Sequence, residues 1–466
     1  MKVVHKHTLN LIFVFLVAIA AAQTHSENNK AAITNTLNSA YFKSQRTIEV
    51  LLPKTYSEDK SYPVIYALDG YELFSITSSY STFLMDYDVI PDCIIVGIYH
   101  TNRNYETMPN YGNDVRVPVT KFLEGPAALK NHLLLEIVPM INKLYATSGF
   151  NTLIGHSNTA TFVNEMISKK EANFNGFIAI TPDLLKKQTD YLHSYLNDSQ
   201  LRDTYYFVSS GLKDNPDRLE TGKMLDTVFK TTKNQKFKAT HRIYNAGHLD
   251  LVPKSLNDAL QFVFSDFKNY DDFDKRLLED QFSLSAYLDH KSKLSKDIYG
   301  IKHSLKEEDF YYLLSIVLEK KDKNLLEQAF MVGEQNQFFS KEEIHSSKAQ
   351  YYEEIELYEE ALSSWKMQIT EGYNENTFYY ERPFTLLTTK LKRPEEAITF
   401  LEKSVVDYPE GALIFNYLIA QTVVEHNLNK ERGMNAITYC LNNYRENSKF
   451  SKATALEIAA TLSERN

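Results

Sequence analysis

The run Leu153-Ile154-Gly155-His156-Ser157-Asn158-Thr159-Ala160 leaves a short apolar segment and enters an amphipathic pattern carried by Phe162, Val163, Met166 and Ile167. A serine at such a strand-to-helix bend exposes its hydroxyl above a sheet, with the backbone N–H of the next residue, Asn158, aimed at a developing oxyanion. Gly155 supplies the missing side chain that the bend needs. The usual pattern is G-x-S-x-G, and Thr159 stands where its last glycine would be; a β-branched residue there is expected to crowd the packing of helix on strand. Read alone, Ser157 is equally a helix N-cap.

A serine nucleophile needs a base, and in a sheet of this kind the chain order is Ser, acid, His. The strand-like run Thr204 to Ser209 is followed by a loop holding Asp214, Asp217 and Glu220, and the run Thr240 to Tyr244 by Asn245-Ala246-Gly247-His248. His248, after a loop of small residues, is the expected base, whereas His241 lies inside its strand and reads as structural. Any of the three carboxylates can serve as the acid on spacing alone, since Asp or Glu at a helix start is also a common cap.

The elements that would position these groups alternate. Apolar runs at Thr47–Leu52, Tyr62–Leu68, Cys93–Tyr99, Thr152–Ile154, Gly176–Ile180 and Tyr205–Val208 lack strict alternation, as strands covered on both faces do. Between them Ala127 to Leu144 carries a 3.6-residue stripe through Leu129, Leu133, Ile137 and Ile141. The expected fold class is α/β: a mainly parallel sheet with flanking helices, whose ligands bind beyond the C-terminal strand ends.

From about Arg46 to Phe264 these segments resemble the esterase family of the α/β-hydrolase fold, which includes siderophore, feruloyl and acetyl-xylan esterases and S-formylglutathione hydrolase. The resemblance is carried by Tyr62-Pro63-Val64-Ile65-Tyr66 with Leu68-Asp69-Gly70, by Val96-Gly97-Ile98 with Asn102-Arg103 and Met108-Pro109, by Glu136-Ile137-Val138-Pro139, and by Gly155-His156-Ser157. Ile178-Ala179-Ile180-Thr181-Pro182 and Gly247-His248 complete it. It implies Ser157 as nucleophile, His248 as base, and an oxyanion hole from the backbone N–H groups of Asn158 and Tyr71. Among the acids it favours Asp217, because Asn215-Pro216-Asp217-Arg218-Leu219 looks like the family's carboxylate, basic and apolar residues at a helix start. It further implies a small-molecule ester substrate, an acyl-enzyme, and no metal or organic cofactor. The alternative is a hydrolase fold that has lost activity and acts as a binding or scaffold protein.

After about Asn269 strand signals stop. Ala361, Ala397 and Ala436 recur at separations of 36 and 39 residues, followed by Tyr373, Tyr408 and Tyr444 at separations of 35 and 36. Such a period resembles tetratricopeptide repeats, helix pairs that stack because neither buries its face alone, and implies an all-α helical repeat domain able to hold a protein or peptide. Ala329 marks an earlier unit, and Trp365 reads as a core residue of a helix pair. The expected organisation is a signal peptide at 1–22, a hydrolase domain at 23–270, a connecting segment at 271–303 and the helical domain at 304–466.

The start has basic Lys2 and Lys6, an apolar run and a small-residue end at Ala18-Ile19-Ala20-Ala21-Ala22, which reads as a cleaved secretory signal too short to span a bilayer. A secreted or periplasmic protein with no membrane span is expected. The whole chain of 466 residues has 51 Lys plus Arg against 60 Asp plus Glu, a formal charge of -9, which disfavours a nucleic-acid partner. Its two cysteines, Cys93 and Cys440, are too few and too far apart in sequence for a disulfide framework or a cysteine zinc site.

Overall fold

The computed structural model describes residues 32–168, 173–198, 202–372, 376–447 and 449–465. The expected signal peptide at 1–22 and Tyr373 lie outside the described residues. The chain divides into two compact units, one built from residues up to Tyr270 together with Asp289–Ser304, the other from Asp271–Leu288 and Leu305 onward. The segment expected as a connection is therefore shared between them.

The first unit is organised around eight strands: β1 Ile33–Ser39, β2 Ser44–Leu51, β3 Tyr62–Ala67, β4 Ile94–Ile98, β5 Thr147–His156, β6 Gly176–Ile180, β7 Thr204–Gly211 and β8 Phe237–Tyr244. Their order is β1-β2-β4-β3-β5-β6-β7-β8. β1 pairs antiparallel with β2 and β2 antiparallel with β4, while β4 through β8 are parallel. Residues of the central strands are buried throughout and divide by parity. Val64, Tyr66, Phe177, Ala179, Tyr206 and Val208 enter one core, whereas Ile65, Ala67, Ile178, Ile180, Tyr205 and Phe207 enter another. The period of two sends neighbours to opposite faces, and both faces are covered. The first core packs helices through Leu129, Leu133, Val163, Met166 and Leu225. The second takes Leu73 and Phe74 from the helix Gly70–Asp86, and Leu256, Ala259 and Leu260 from the helix Leu251–Val263.

The stripe from Ala127 to Leu144 is one helical run interrupted by a π-turn at Leu133–Ile137, just before Pro139. The wider turn fits the missing proline N–H. Tyr299, in the segment Asp289–Ser304, is fully buried against Phe150 and Phe264 and donates to the Val263 carbonyl at 3.2 Å.

The second unit is helical from Glu307–Lys320 to Lys452–Glu464, with consecutive helices packed on one another. Ala329, Ala361, Ala397 and Ala436 are all buried, as small residues are where helices approach closely. Trp365 is fully buried and its indole N–H donates to Glu353 Oε1 at 2.7 Å. Ion pairs join residues about one period apart: Lys323 with Glu360 at 2.8 Å, Lys366 with Glu396 at 3.2 Å and Arg432 with Glu395 at 2.8 Å. Among the described residues no helix is long and apolar enough to cross a membrane.

Candidate active site

β5 ends at His156, and the helix Asn158–Ser168 begins two residues later. The single residue between them, Ser157, has φ 62°. A non-glycine residue in this left-handed region is strained, and it persists only where its surroundings over-determine it. Here the Ser157 N–H donates to the Ile180 carbonyl at 3.0 Å and the Ser157 carbonyl accepts from Thr161 N at 3.1 Å. Gly155 is required by space: a Cβ there would lie 2.4 Å from the Thr159 carbonyl oxygen.

Thr159 does not crowd the bend. It is fully buried, and its hydroxyl accepts from the His156 backbone N–H at 2.8 Å while its proton faces Asp69 Oδ2 at 2.7 Å. The turn has room for this side chain because Gly155 approaches the backbone of Thr159, not its side chain. The hydroxyl also joins the serine turn to the loop after β3, where Asp69, itself at φ 56°, caps the helix Gly70–Asp86.

Asp69 is the hub of a buried network. Arg103 donates to both its oxygens, Nε to Oδ1 at 2.7 Å and Nη2 to Oδ2 at 2.9 Å, and Nη2 reaches the His156 carbonyl at 3.2 Å. His100 lies between two carboxylates, Nε2 at 3.3 Å from Asp69 and Nδ1 at 2.8 Å from Glu106. Glu106 in turn takes a two-pronged contact from Arg46, at 2.9 and 2.6 Å. Burial would raise the Asp69 carboxyl, but the hydrogen bonds from His100 and Arg103 outweigh it and hold the group well below the usual carboxylate range. Glu106 is held to about 2 against the same burial by His100 and Arg46. For His100 burial favours the neutral ring, and the two carboxylates overcome it and raise its pKa.

His248 follows β8 in the loop that leads into the helix Leu251–Val263. Its Nδ1 lies 3.0 and 2.9 Å from the two oxygens of Asp214. The Asp214 side chain is buried, whereas His248 is about a third exposed. Thr181 Oγ1 donates to Asp214 Oδ2 at 2.6 Å and the Asn215 N–H to Oδ1 at 2.6 Å. These bonds and His248 outweigh burial, so the carboxyl is held below its ordinary value. The strand-end loops are tied together by Lys213 N to the Ala246 carbonyl at 2.9 Å.

The carboxylate facing His248 is thus Asp214, and the expectation of Asp217 is corrected. Asn215 caps the helix Pro216–Thr231 by accepting from Asp217 N at 2.9 Å, which leaves the Asp217 side chain exposed in the first helical turn. Glu220 is exposed too, 3.5 Å from Lys223. The sequence signal for Asp214 at this position is the Asn215-Pro216 pair: proline at the first helical position fixes the helix start, so the last carboxylate before it is the one left in the strand-end loop. His241 is half-buried inside β8, bonded to Ser210 Oγ at 3.0 Å.

His156, read only as part of the serine motif, lies beside His248. Its ring centroid is 4.7 Å from that of His248, and its Nε2–H donates to the His248 carbonyl at 3.0 Å. Burial, followed by the neighbouring His248, lowers its pKa to about 4. The two expected oxyanion donors, Asn158 and Tyr71, occupy the first turns of the helices Asn158–Ser168 and Gly70–Asp86. The first N–H groups of a helix have no acceptor within it and carry a partial positive charge. Among the described residues no group of three His, Cys, Asp or Glu side chains is placed to hold a metal ion.

The first unit carries an α/β-hydrolase fold. Residues 39–182 match the family model described as Putative esterase, a stretch that holds Asp69, Arg103 and Ser157 and ends before Asp214 and His248. No curated protein matches the sequence significantly. Among solved structures, an IroE-like serine hydrolase from Shewanella oneidensis is 20% identical over 66% of this chain and 100% of its own, with a TM-score of 0.51. An uncharacterised protein from Capnocytophaga ochracea is 17% identical over 77% of this chain and 100% of its own, with a TM-score of 0.57. At the level of the family, the match supports an ester hydrolase.

Proposed function

We propose that the protein is a serine esterase in which Ser157 attacks an ester carbonyl, His248 takes its proton, and Asp214 orients His248 and stabilises its cationic form. The observation that carries this reading is the pairing of His248 Nδ1 with both oxygens of buried Asp214, on the loops flanking a serine held at φ 62°. With Nδ1 engaged by the carboxylate, Nε2 is left to accept the serine proton. The N–H groups of Asn158 and Tyr71 stabilise the tetrahedral oxyanion, the alcohol leaves with a proton from His248, and water releases the acid from the acyl-enzyme.

The alternative of an inactive scaffold rested on Thr159, and the bonds that Thr159 makes remove that support. The apolar run before residue 22 favours export of the protein. The buried alanines and the ion pairs one period apart favour tetratricopeptide-like stacking, with a protein or peptide as partner of the helical unit. The test of the esterase reading is an active-site fluorophosphonate on the purified chain. Labelling mapped to Ser157 and lost on denaturation is expected; labelling unchanged in Ser157→Ala, or full short-chain ester hydrolysis by that variant, would overturn it.

A further inference from the structure

Beside the base, between the helices Gly70–Asp86 and Leu251–Val263, lies a groove of about 290 Å³ lined by Leu73, Ile76, His156, Leu249 and Val252, with Glu72 on its wall. Bulk water takes about 30 Å³ per molecule, so the space suits a group of roughly ten non-hydrogen atoms. Pro253 also lines it, and its carbonyl accepts from Tyr80 Oη at 3.1 Å, a bond between the two helices. The lining is aliphatic apart from two polar groups, and these decide its electrostatics.

The Glu72 side chain is 57% exposed and its carboxylate lies 4.0 Å from His156 Nδ1. His156 does not neutralise it at neutral pH, because burial and His248 keep that ring uncharged. Arg103 feels the Glu72 charge, but its guanidinium is bound to both oxygens of Asp69. Lys254, near the other wall, is paired with Asp250 at 2.8 Å. The groove therefore presents an apolar surface with a carboxylate that, among the described residues, has no cation at hydrogen-bonding distance.

Which part of an ester would enter follows from proton transfer. In the proposed mechanism the departing alcohol oxygen receives its proton from His248, so the alcohol portion lies on the histidine side, where Leu249 follows His248 directly and Val252 comes four residues after it. We propose that this groove binds the alcohol portion of the substrate and selects a compact apolar group bearing a positive charge, the chemistry of an amino-alcohol or quaternary ammonium ester. This rests on the esterase reading above and adds the substrate class.

The test compares two esters of one acid, the choline ester and its uncharged isostere, the 3,3-dimethylbutyl ester, on the full chain at low ionic strength. A partly exposed ion pair is worth up to about 1 kcal/mol, so KM for the choline ester is expected to be roughly two- to fivefold lower, with similar kcat. Glu72→Gln should bring the two KM values together, and added salt should do the same in the parent protein. Equal KM values in the parent, a preference for the neutral ester, or a choline preference that survives Glu72→Gln overturns the groove assignment. So does failure to hydrolyse either ester while a fluorophosphonate still labels Ser157. Absence of that labelling overturns the esterase reading itself, which separates the two failures.

Discussion

The first unit holds a buried charge network besides its surface pairs, whereas the recurring pairs of the second lie on its surface. In the hydrolase unit, Arg46 and Glu106 pair with side chains only 1% and 2% exposed, and His100 and Asp69 are as deeply covered. In the helical unit the recurring pairs lie on the surface, Lys366 with Glu396 at 41% and 43% exposed and Arg432 with Glu395 at 26% and 57%. Buried charges are costly and persist only in well-satisfied geometry, whereas exposed pairs are weak, screened and individually replaceable. The difference matches what each unit must hold. Strained residues at strand ends, Asp69, Ser157 and Thr181, all have positive φ, and a buried network keeps Asp69 in place. A stack of helices needs only its buried small residues, with exposed pairs adding a little to the register.

The largest effect should come from the centre of the hydrolase unit. Asp214→Asn is expected to lower kcat/KM for a short-chain ester by about 10²- to 10⁴-fold, because Nδ1 loses the carboxylate that fixes the tautomer. Asp217→Asn, an exposed change in the first turn of its helix, should stay within about twofold. The reverse order of the two variants would return the orienting role to Asp217.

Next comes the buried network. Glu106→Gln leaves the Arg46 and His100 cations without their shared carboxylate and should cost about 3–5 kcal/mol in urea unfolding, since it leaves buried charge uncompensated. A loss below about 1 kcal/mol would show that this network is no more than a surface pair in its energetics. Thr159→Val keeps the shape of the side chain and removes the hydroxyl, so the His156 N–H loses its acceptor and Asp69 a donor. About 1–3 kcal/mol of stability is expected to go, read from the same denaturant curves, and no change would mean the bridge between the two loops is dispensable.

The network also carries a pH signature of definite sign. His100 has a raised pKa in the folded protein, so its contribution is fully present below the ordinary value of 6.5 and is lost as pH rises through the raised one. Asp69 and Glu106 have depressed pKa values, and their contribution is present above the ordinary carboxylate range and lost as pH falls through the depressed ones. The cluster is therefore most stabilising from about pH 5 up to the titration of His100. The Tm advantage of the parent over His100→Gln should be widest there and shrink on the alkaline side. An advantage that grows with pH would mean the ring is neutral in the folded state.

How much of this was legible in the sequence follows the same division. The central strands were readable because both faces are covered and the runs are continuously apolar, as in Tyr62–Ala67. β1 was not: Ile33-Thr34-Asn35-Thr36-Leu37-Asn38-Ser39 is a mostly exposed edge strand whose pairing with β2, rather than its composition, makes it a strand. At the site, Ser157 and His248 stood out by order and loop position, and the structure places them on adjoining turns through His156. The carboxylate that faces His248 is not Asp217, which fits a helix-start pattern, because a pattern of residue types does not report which carboxylate precedes the helix. The role of Thr159 was illegible for a different reason: its partner Asp69 is 90 positions away, and only the sheet brings the two loops together.

The smallest effect belongs to the surface of the helical unit, and it tests the comparison most directly. Arg432 is the best-connected cation there, forked onto Glu402 at 2.7 Å through two nitrogens and bonded to Glu395 at 2.8 Å. Arg432→Ala is still expected to cost less than about 1 kcal/mol, since the pairs are open to solvent and ordering the side chain offsets part of the attraction. In about 1 M salt, where the Debye length falls to about 3 Å, that small cost should shrink further. The Glu106→Gln penalty should persist in the same salt, because ions do not reach a pair covered to within 2% of full burial. A salt-insensitive loss of several kcal/mol at Arg432 would contradict the division, for it would make the helical unit depend on specific charge placement as strongly as the hydrolase unit does.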